Sequence, residues 1–423
     1  MANTFLVDDR IIHQVLENGL GMLYQRCNLI KTLHMGFKGE FAKRNRPVGD
    51  QVKVEKPMSW DVKSGATLQL QDISDAYDYV TCKNHSQVSF PITIDELTFD
   101  VTEFTKKYIG TAMRDIASHI ENESIKKLRN LIGQQIGGFG TNDKFDNDML
   151  VDGETRLAEG LSPEDGKYLI VDPIGFGNFK KGIRSTYNPS DQISRYFKKG
   201  AVTDGVGGFE ALFRNTFITE HTSGTYVWDS TNPVKINGAN QSGSSLTVDG
   251  GAANDTIKAG DIVQISGVSE VHPQTKEAIS GRTKQVCVTQ DWTQGTDTTL
   301  HISPGLITSG PHKNCSGSPA DNAHIGNNPV SGGGNGASGQ KYFIGLAYHK
   351  DFATFVSVPF VAPPKSKEHG SAVYWQQKEL DGLNMALCID WDNQNYRTVM
   401  RLDIKWDVSI LRQQLATRIA YRN

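Results

Sequence analysis

The stretch Gly166-Lys167-Tyr168-Leu169-Ile170-Val171-Asp172-Pro173 predicts a buried β-strand that the proline ends. Residues Phe176–Arg184 follow with a helical pattern, and Gly207-Gly208-Phe209-Glu210-Ala211-Leu212 leads into a second strand. Strand, helix and strand in this order predict an α/β unit with a core of its own.

The strongest helical signal precedes this unit, beginning near Thr93 to Asp95 and running toward Ile136. Apolar residues between Val101 and Ile132 recur at spacings of three and four, and charged residues fill the other faces. The pattern predicts a spine helix of about 40 residues and about 60 Å.

Two stretches with period-two alternation, Gln51–Lys56 and Tyr77–Ile94, predict strands. The polar segment Ser59–Asp75 between them is too long for a tight turn, which predicts an extended β-arm with a broad tip. Nearer the start, Ile11–Leu33 has an amphipathic pattern broken by two glycines and predicts a short helix followed by a loose arm.

The composition changes near Gly224, where short Thr-, Ser- and Val-rich strands replace the helical pattern. The predicted strands are Val234–Ile236, Ser245–Val248, Asp261–Ser266, Gln285–Gln290 and Thr298–Ile302. They predict a separate β-barrel or sandwich, followed by a flexible linker over Gly310–Gly339. Regular structure resumes after the linker, as expected for an inserted domain. Tyr342–Tyr348 and Asp351–Pro359 are expected there as strand or as a short helix plus strand. Met385–Trp391 and Val399–Trp406 are expected as paired strands joined by Asp392-Asn393-Gln394-Asn395.

Three motifs in the sequence resemble binding-site signatures, but each lacks a feature that such a site requires. Residues 334–339 spell GxGxxG, but neither a preceding strand nor a following helix is predicted, so they are interpreted as linker. His312, Cys315 and His324 match no zinc spacing and are expected in loops. The acidic stretch Asp143–Asp152 lacks the glycine and glutamate of a calcium loop and predicts a solvated turn. We predict no enzyme activity, metal or cofactor.

Length, net charge and cysteine content further restrict the class of protein to which this sequence can belong. The 423 residues suggest about three domains, and 44 basic against 47 acidic residues leave a net charge of -3. Without a basic run, sequence-specific nucleic-acid binding is not expected. Neither a secretory signal nor a membrane-spanning stretch is predicted. The five scattered cysteines are expected to be reduced.

The strings Gly166–Pro173, Ser190-Asp191-Gln192, Gly207–Glu210, Gly345–Phe355 and Arg401–Ile404 together resemble one family. They are similar to the major coat (capsid) proteins of tailed bacteriophages with the Hong Kong ninety-seven type (Johnson) fold. Within that family they look like the short-tailed-phage group with an immunoglobulin-like or telokin-like insertion domain.

This resemblance implies an α+β capsid fold whose segments are an N-terminal arm (1–45), an extended β-arm (46–93), a spine helix with peripheral domain (94–160), the first part of an axial domain (161–224), an inserted β-domain (225–340) and closing strands (341–423). It implies self-association into hexameric and pentameric capsomers of an icosahedral head, with a scaffolding protein and a portal as partners. The head would enclose double-stranded DNA as a virion capsid assembled in the bacterial cytoplasm. The residues expected at assembly contacts are Asp8, Asp9, Arg10, Trp60, Asp61, Lys63, Asp72 and Asp75.

The chain departs from the family pattern in two places. Arg412-Gln413-Gln414-Leu415-Ala416 replaces a more usual Arg-Pro-Glu-Leu-Ala, and the loop Asn237–Ser244 is short where relatives can project a long one. Besides an enzyme, a carbohydrate-binding module is the alternative, and it would need exposed aromatics among Tyr226, Trp228 and Trp292.

Overall fold

A computed structural model describes residues 20–21, 23, 27–35, 51–55, 60, 65, 77–92, 108, 110–138, 144–184, 207–227, 232–327, 339–360, 374–380, 382–392 and 397–422. The helices in these ranges are α1 (Gly110–Arg129), α2 (Asn147–Glu159) and α3 (Pro173–Arg184), with 3-10 turns at Ile30–Thr32, Lys350–Phe352 and Gln413–Leu415. The strands, numbered in chain order, are β1 (Gln51–Glu55), β2 (Tyr77–Thr81), β3 (Asn84–Ile92), β4 (Gln135–Gly137), β5 (Lys167–Val171), β6 (Ala211–Arg214), β7 (His221–Thr222), β8 (Val234–Ile236), β9 (Gly243–Gly250), β10 (Thr256–Ile257), β11 (Ile262–Val271), β12 (Ala278–Val288), β13 (Trp292–Thr293), β14 (Thr299–Leu306), β15 (Ile325–Asn327), β16 (Lys341–His349), β17 (Ala353–Val358), β18 (Tyr374–Leu380), β19 (Leu383–Asp392), β20 (Arg397–Ile410) and β21 (Ala416–Tyr421).

The fold is mixed α/β, with many strands and few helices among the described residues. The chain forms two compact units, each assembled from segments that are distant in sequence. Unit 1 comprises Met1–Lys56, Ala76–Ser124 and Ala353–Ser409, and unit 2 comprises Pro57–Asp75, Ile125–Phe352 and Ile410–Asn423.

Unit 1 contains a five-stranded sheet in the order β17-β20-β19-β18, with β3 also paired to β20. The predicted pairing of the two strands near the end of the chain is confirmed, since β19 and β20 run antiparallel. Alternate residues of β20 line its buried face, where Trp406 stacks on Phe355 with ring centroids 5.9 Å apart. The Trp406 indole donates a 2.9 Å hydrogen bond to Ser86 Oγ, which satisfies its buried N–H.

The first predicted strand pair also forms. Strands β1 and β2 run antiparallel, from Gln51 opposite Thr81 to Glu55 opposite Tyr77. The prediction of one continuous strand over Tyr77–Ile94 is wrong, because the chain breaks after Thr81 and β3 pairs instead with β20. A period-two pattern identifies the buried face of a strand but not its partner, so the two halves could not be told apart in sequence.

A helix is confirmed over α1, whose 20 residues span about 30 Å; residues 93–107 and 109 of the predicted helix lie outside the described ranges. The expectation that it continues to Ile136 is wrong. Residues Gln135–Gly137 form β4, which runs parallel to β21. This pairing requires Gly137, because φ is +77° there and a Cβ would lie 2.2 Å from the Ala420 carbonyl oxygen.

Unit 2 contains a second sheet in the order β4-β21-β16-β5-β6, with β7 paired to β16. The predicted strand–helix–strand unit is confirmed, with β5 parallel to β6. Helix α3 begins at Pro173 rather than Phe176, because Asp172 Oδ1 and Oδ2 accept the Gly175 and Ile174 amides, each at 3.0 Å. The Tyr421 hydroxyl donates to the same carboxylate at 2.6 Å, which ties β21 to the start of α3.

The described part of the acidic stretch, from Asp146 to Asp152, forms the start of a helix and not a solvated turn. Asp146 caps α2 by accepting the Met149 amide at 3.0 Å, and Asp148 lies in the first turn, where the helix dipole favours negative charge. The helix buries Leu150, Gly153 and Leu157. The carboxylates of Asp146 and Asp148, from which the sequence predicted a turn, therefore lie at a helix N-terminus.

Strands β8, β9, β11, β12, β14 and β15 form a six-stranded sheet in the order β15-β11-β12-β14-β9-β8. Its ends meet, because the Ile236 amide donates to the Ala323 carbonyl and the Asn322 amide to the Ile236 carbonyl, both at 2.9 Å. The sheet is thus a closed barrel around one apolar cluster that runs in sequence from Tyr226 to Ile325. The predicted strands are confirmed, but Gly310–Gly339 is not all linker, since β15 completes the barrel.

The cysteines are free thiols, and all but Cys388 are buried. None of the described helices combines the length and hydropathy needed to cross a bilayer.

Candidate functional site

A hydrogen-bonded polar region of unit 2 lies where the barrel meets α2, β4 and β21, and we call it the seam. The Gln135 amide donates to Gln285 Oε1 at 2.8 Å, and Ser303 Oγ donates to the Leu131 carbonyl at 2.8 Å. The seam comprises Arg129, Leu131, Gln134, Gln135, Arg156, Glu159, Glu270, Arg282, Lys284, Gln285, Cys287, Ser303, Gln413 and Arg418.

An ionic network occupies one end of the seam. Glu270 of β11 accepts from Arg156 of α2 and, at 2.9 Å, from Gln134 Nε2. Both charged side chains are more than nine-tenths buried. Arg156 also donates to Glu159 Oε2 at 3.2 Å, and Arg282 of β12 reaches the same carboxylate. These bonds hold α2 against the barrel.

Burial shifts the acid–base equilibria of this network. It raises the pKa of Glu159, against the opposing effect of Arg156. It also lowers the pKa of Lys284, which lies buried beside Glu270. The protonation of Glu159 and of Lys284 therefore depends on the neighbouring charges of Arg156 and Glu270.

A pair of buried arginines occupies the other end of the seam. Arg418 of β21 is fully buried and donates from Nη1 to Cys287 Sγ at 3.2 Å. Arg129 donates to the Thr219 carbonyl at 3.2 Å, and burial together with the charge of Arg418 lowers its pKa.

The barrel joins the rest of unit 2 through a two-stranded stem. The Gly339 amide donates to the Gly224 carbonyl at 3.0 Å, so the chain enters and leaves the barrel at one point. Asp261 fixes this point, with Oδ1 2.9 Å from His221 Nε2 and Oδ2 accepting the Gly224 amide at 2.9 Å. Glycine is required at 224, because a Cβ would lie 2.0 Å from the Thr256 carbonyl oxygen.

The predicted assembly residues are not brought together by the described structure. Trp60 is 54% exposed. The others, Asp8, Asp9, Arg10, Asp61, Lys63, Asp72 and Asp75, lie outside the described residues. Their role stays a prediction.

The described aromatics among those required by a carbohydrate-binding module are buried in the barrel. Tyr226 is buried and donates from its hydroxyl to the Ile325 carbonyl at 2.7 Å. Trp292 is buried and donates to the Asp297 carbonyl at 3.0 Å. Trp228 lies outside the described residues. The two described aromatics therefore pack in the core and do not form a stacking platform for a sugar.

Sequence reasoning did not identify the seam, although one signal was present. Arg418 stands within Ala416-Thr417-Arg418-Ile419-Ala420-Tyr421, and all six of these residues are buried. A lone cation in an apolar run is expected to have a specific buried environment, because charged residues are seldom fully buried without a partner.

The profile of the family described as "P22 coat protein - gene protein 5" matches residues 8–416. Among curated proteins, no significant match is found. Among solved structures, "Mycobacterium phage Che8" is 10% identical with a TM-score of 0.44, covering 92% of this chain and 89% of that chain. "Capsid structure of the Cyanophage P-SCSP1u" is 10% identical with a TM-score of 0.38, covering 90% and 85%. A virus-like particle from Pyrococcus furiosus is 9% identical with a TM-score of 0.37, covering 96% and 98%. These structural likenesses are remote, and the family match carries the assignment.

Proposed function

We propose, from the premise that the chain belongs to the P22 coat protein family, that its copies close into an icosahedral shell around double-stranded DNA. The protein is a major capsid protein that forms the phage head. The observation that carries this conclusion is the family match over residues 8–416, which covers most of both compact units. Hexameric and pentameric capsomers, assembled in the bacterial cytoplasm, are the finer proposal.

We further propose the Hong Kong ninety-seven type arrangement for the chain. The β1–β2 hairpin would be the stem of the extended β-arm, and α1 would be the spine helix. The sheet that contains β5 and β16 would belong to the axial domain. The order and type of these elements support the proposal.

The closed barrel supports the proposal of an inserted domain over residues 225–340. Its apolar cluster is drawn from one continuous stretch of chain, while the flanking β7 and β16 pair with each other. A domain whose ends lie side by side can interrupt a host sheet without separating its strands.

Assembly contacts are proposed for the N-terminal arm, through Asp8, Asp9 and Arg10, and for the tip of the β-arm, through Trp60, Asp61, Lys63, Asp72 and Asp75. Such contacts would be heterologous and would close into rings. Individually weak contacts become effective when a shell repeats them many times. A scaffolding protein and a portal are proposed as partners from the family resemblance. The net charge of -3 suits a container without sequence-specific DNA binding.

Electron microscopy of the purified chain tests this function directly. We expect closed shells or rings of capsomers, because a coat protein carries its assembly contacts on its own surface. The control is the same protein in a denaturant concentration that prevents association. Dispersed monomers under all native conditions would contradict the proposal.

The barrel is expected to fold when residues 225–340 are expressed alone, since its apolar cluster needs no side chain from outside them. The fragment should give a dispersed amide spectrum and β-type circular dichroism. Ile265→Asp is the matched control, because it places a charge in the same cluster and should abolish both signals. A random-coil spectrum for the unmodified fragment would refute the boundary.

A further inference from the structure

The guanidinium of Arg418 is completely buried, and none of the described carboxylates forms an ion pair with it. Its Nη1 donates to a thiol, Cys287 Sγ. Within the described part of the chain, Nε and Nη2 have no hydrogen-bond acceptor. These two nitrogens form the edge of the guanidinium that ordinarily binds an anion in a forked arrangement. An anion-binding edge therefore faces the interior of the seam.

Neighbouring groups do not neutralise this charge. The thiol stays protonated near neutral pH, because burial raises the pKa of Cys287 to about 11. Arg129 adds a second buried guanidinium, and its hydrogen bonds go to the neutral oxygens of Thr219 and Asn130. Two cations thus lie close together in a protein interior.

Asp261 is a carboxylate whose charge acts on Cys287 in this cluster, and its oxygens are engaged elsewhere. His221 and the amides of Gly224 and Lys258 bond to it at 2.8 to 2.9 Å. Burial lowers the pKa of His221, which keeps that ring neutral near pH 7. Two guanidinium groups against one carboxylate leave a single positive charge uncompensated among the described residues.

A second buried polar side chain belongs to the residue opposite Arg418 on the neighbouring strand. Gln135 is the register partner of Arg418 in the parallel β4–β21 pair and is 4% exposed. Neither Nε2 nor Oε1 of Gln135 has a hydrogen-bond partner within the described ranges. A buried water could satisfy these N–H groups, but it would leave the charge uncompensated, which is the larger cost.

We propose that the seam binds one small monovalent anion of the halide class, held by Nε and Nη2 of Arg418 beside Gln135. The bound anion would complete the charge balance between β21 and the barrel. It would therefore stabilise unit 2 by mass action, as does any ligand that binds only the folded state.

The test is the melting temperature of the full-length, unassembled chain at constant ionic strength, with sodium chloride replacing sodium gluconate. We expect a rise of about 3 °C for each tenfold increase in chloride above its dissociation constant. Sodium bromide should act similarly. Exclusion of gluconate from the protein surface would produce the opposite trend, so the direction separates site binding from a general salt effect.

Arg418→Met should remove the chloride dependence, and Arg418→Lys should weaken it, because lysine keeps the charge but not the forked edge. Arg282→Gln is the matched control, since it removes a seam arginine away from the site and should keep the wild-type dependence. If the Arg418 variants do not fold, the wild-type salt series decides. Equal melting temperatures in chloride and gluconate would overturn the proposal, as would an Arg418→Met variant that folds and keeps the dependence.

Discussion

Replacing Glu270 by alanine is expected to lower the free energy of unfolding of unit 2 by about 3–5 kcal/mol, because it removes the buried partner of a buried arginine. Arg156 would keep its bond to Glu159, but the bond from Gln134 would also be lost. The barrel would then be less firmly held to α2. Urea unfolding followed by tryptophan fluorescence measures the change through its midpoint and slope.

Two further variants test whether the loss of stability comes from the buried ion pair. Glu220→Ala removes an exposed pair with Lys341 in the same unit and should cost less than about 1 kcal/mol. The double variant Arg156→Met/Glu270→Met should recover part of the loss, since two apolar side chains can replace a buried ion pair. A loss for Glu270→Ala no larger than that for Glu220→Ala would show that the network does not hold the barrel.

Replacing Ser59–Asp75 by Asn-Gly is expected to abolish or distort shell assembly while the monomer still folds. The hairpin stem can be kept, because Glu55 stays opposite Tyr77 and Asn-Gly suits a short turn. The lost tip carries charges that we place against a neighbouring subunit, and even about 0.5 kcal/mol per exposed pair would matter when repeated at every contact. Thermal melting and sedimentation of assembly reactions measure the two effects separately.

A Gly-Ser sequence of the same length as Ser59–Asp75 is the matched control for the shortened arm. If assembly fails with this sequence as well, the chemistry of the tip matters; if it proceeds, the reach of the arm is decisive. Normal shells from the shortened arm would refute an inter-subunit role for the tip.

Local periodicity was sufficient to predict most strands and both ends of β8. These predictions succeeded because alternation reports which face of a strand is buried, and burial is decided within a few residues. A separate β-barrel or sandwich was predicted for the same reason, since the strands of the barrel lie within one stretch of sequence.

The pairings that join distant segments could not be predicted in this way. Nothing local in Gln135–Gly137 indicates that these residues will lie beside β21, so a helical pattern was extended through them. Likewise, Asp146 could be a turn residue or a helix cap, and the choice depends on the buried surface that α2 covers. The seam was missed because its partners, such as Arg156 and Glu270, lie more than a hundred positions apart.

The meeting of Gly224 and Gly339 has an evolutionary consequence. A lineage could gain, lose or exchange the barrel by one recombination event, because the host sheet requires only that the two chain ends return to the same point. The seam opposes such exchange, since Arg156 would lose Glu270 and Arg418 would lose Cys287 together with the barrel. We therefore expect lineages that replaced this domain to carry compensating changes at positions 156 and 418.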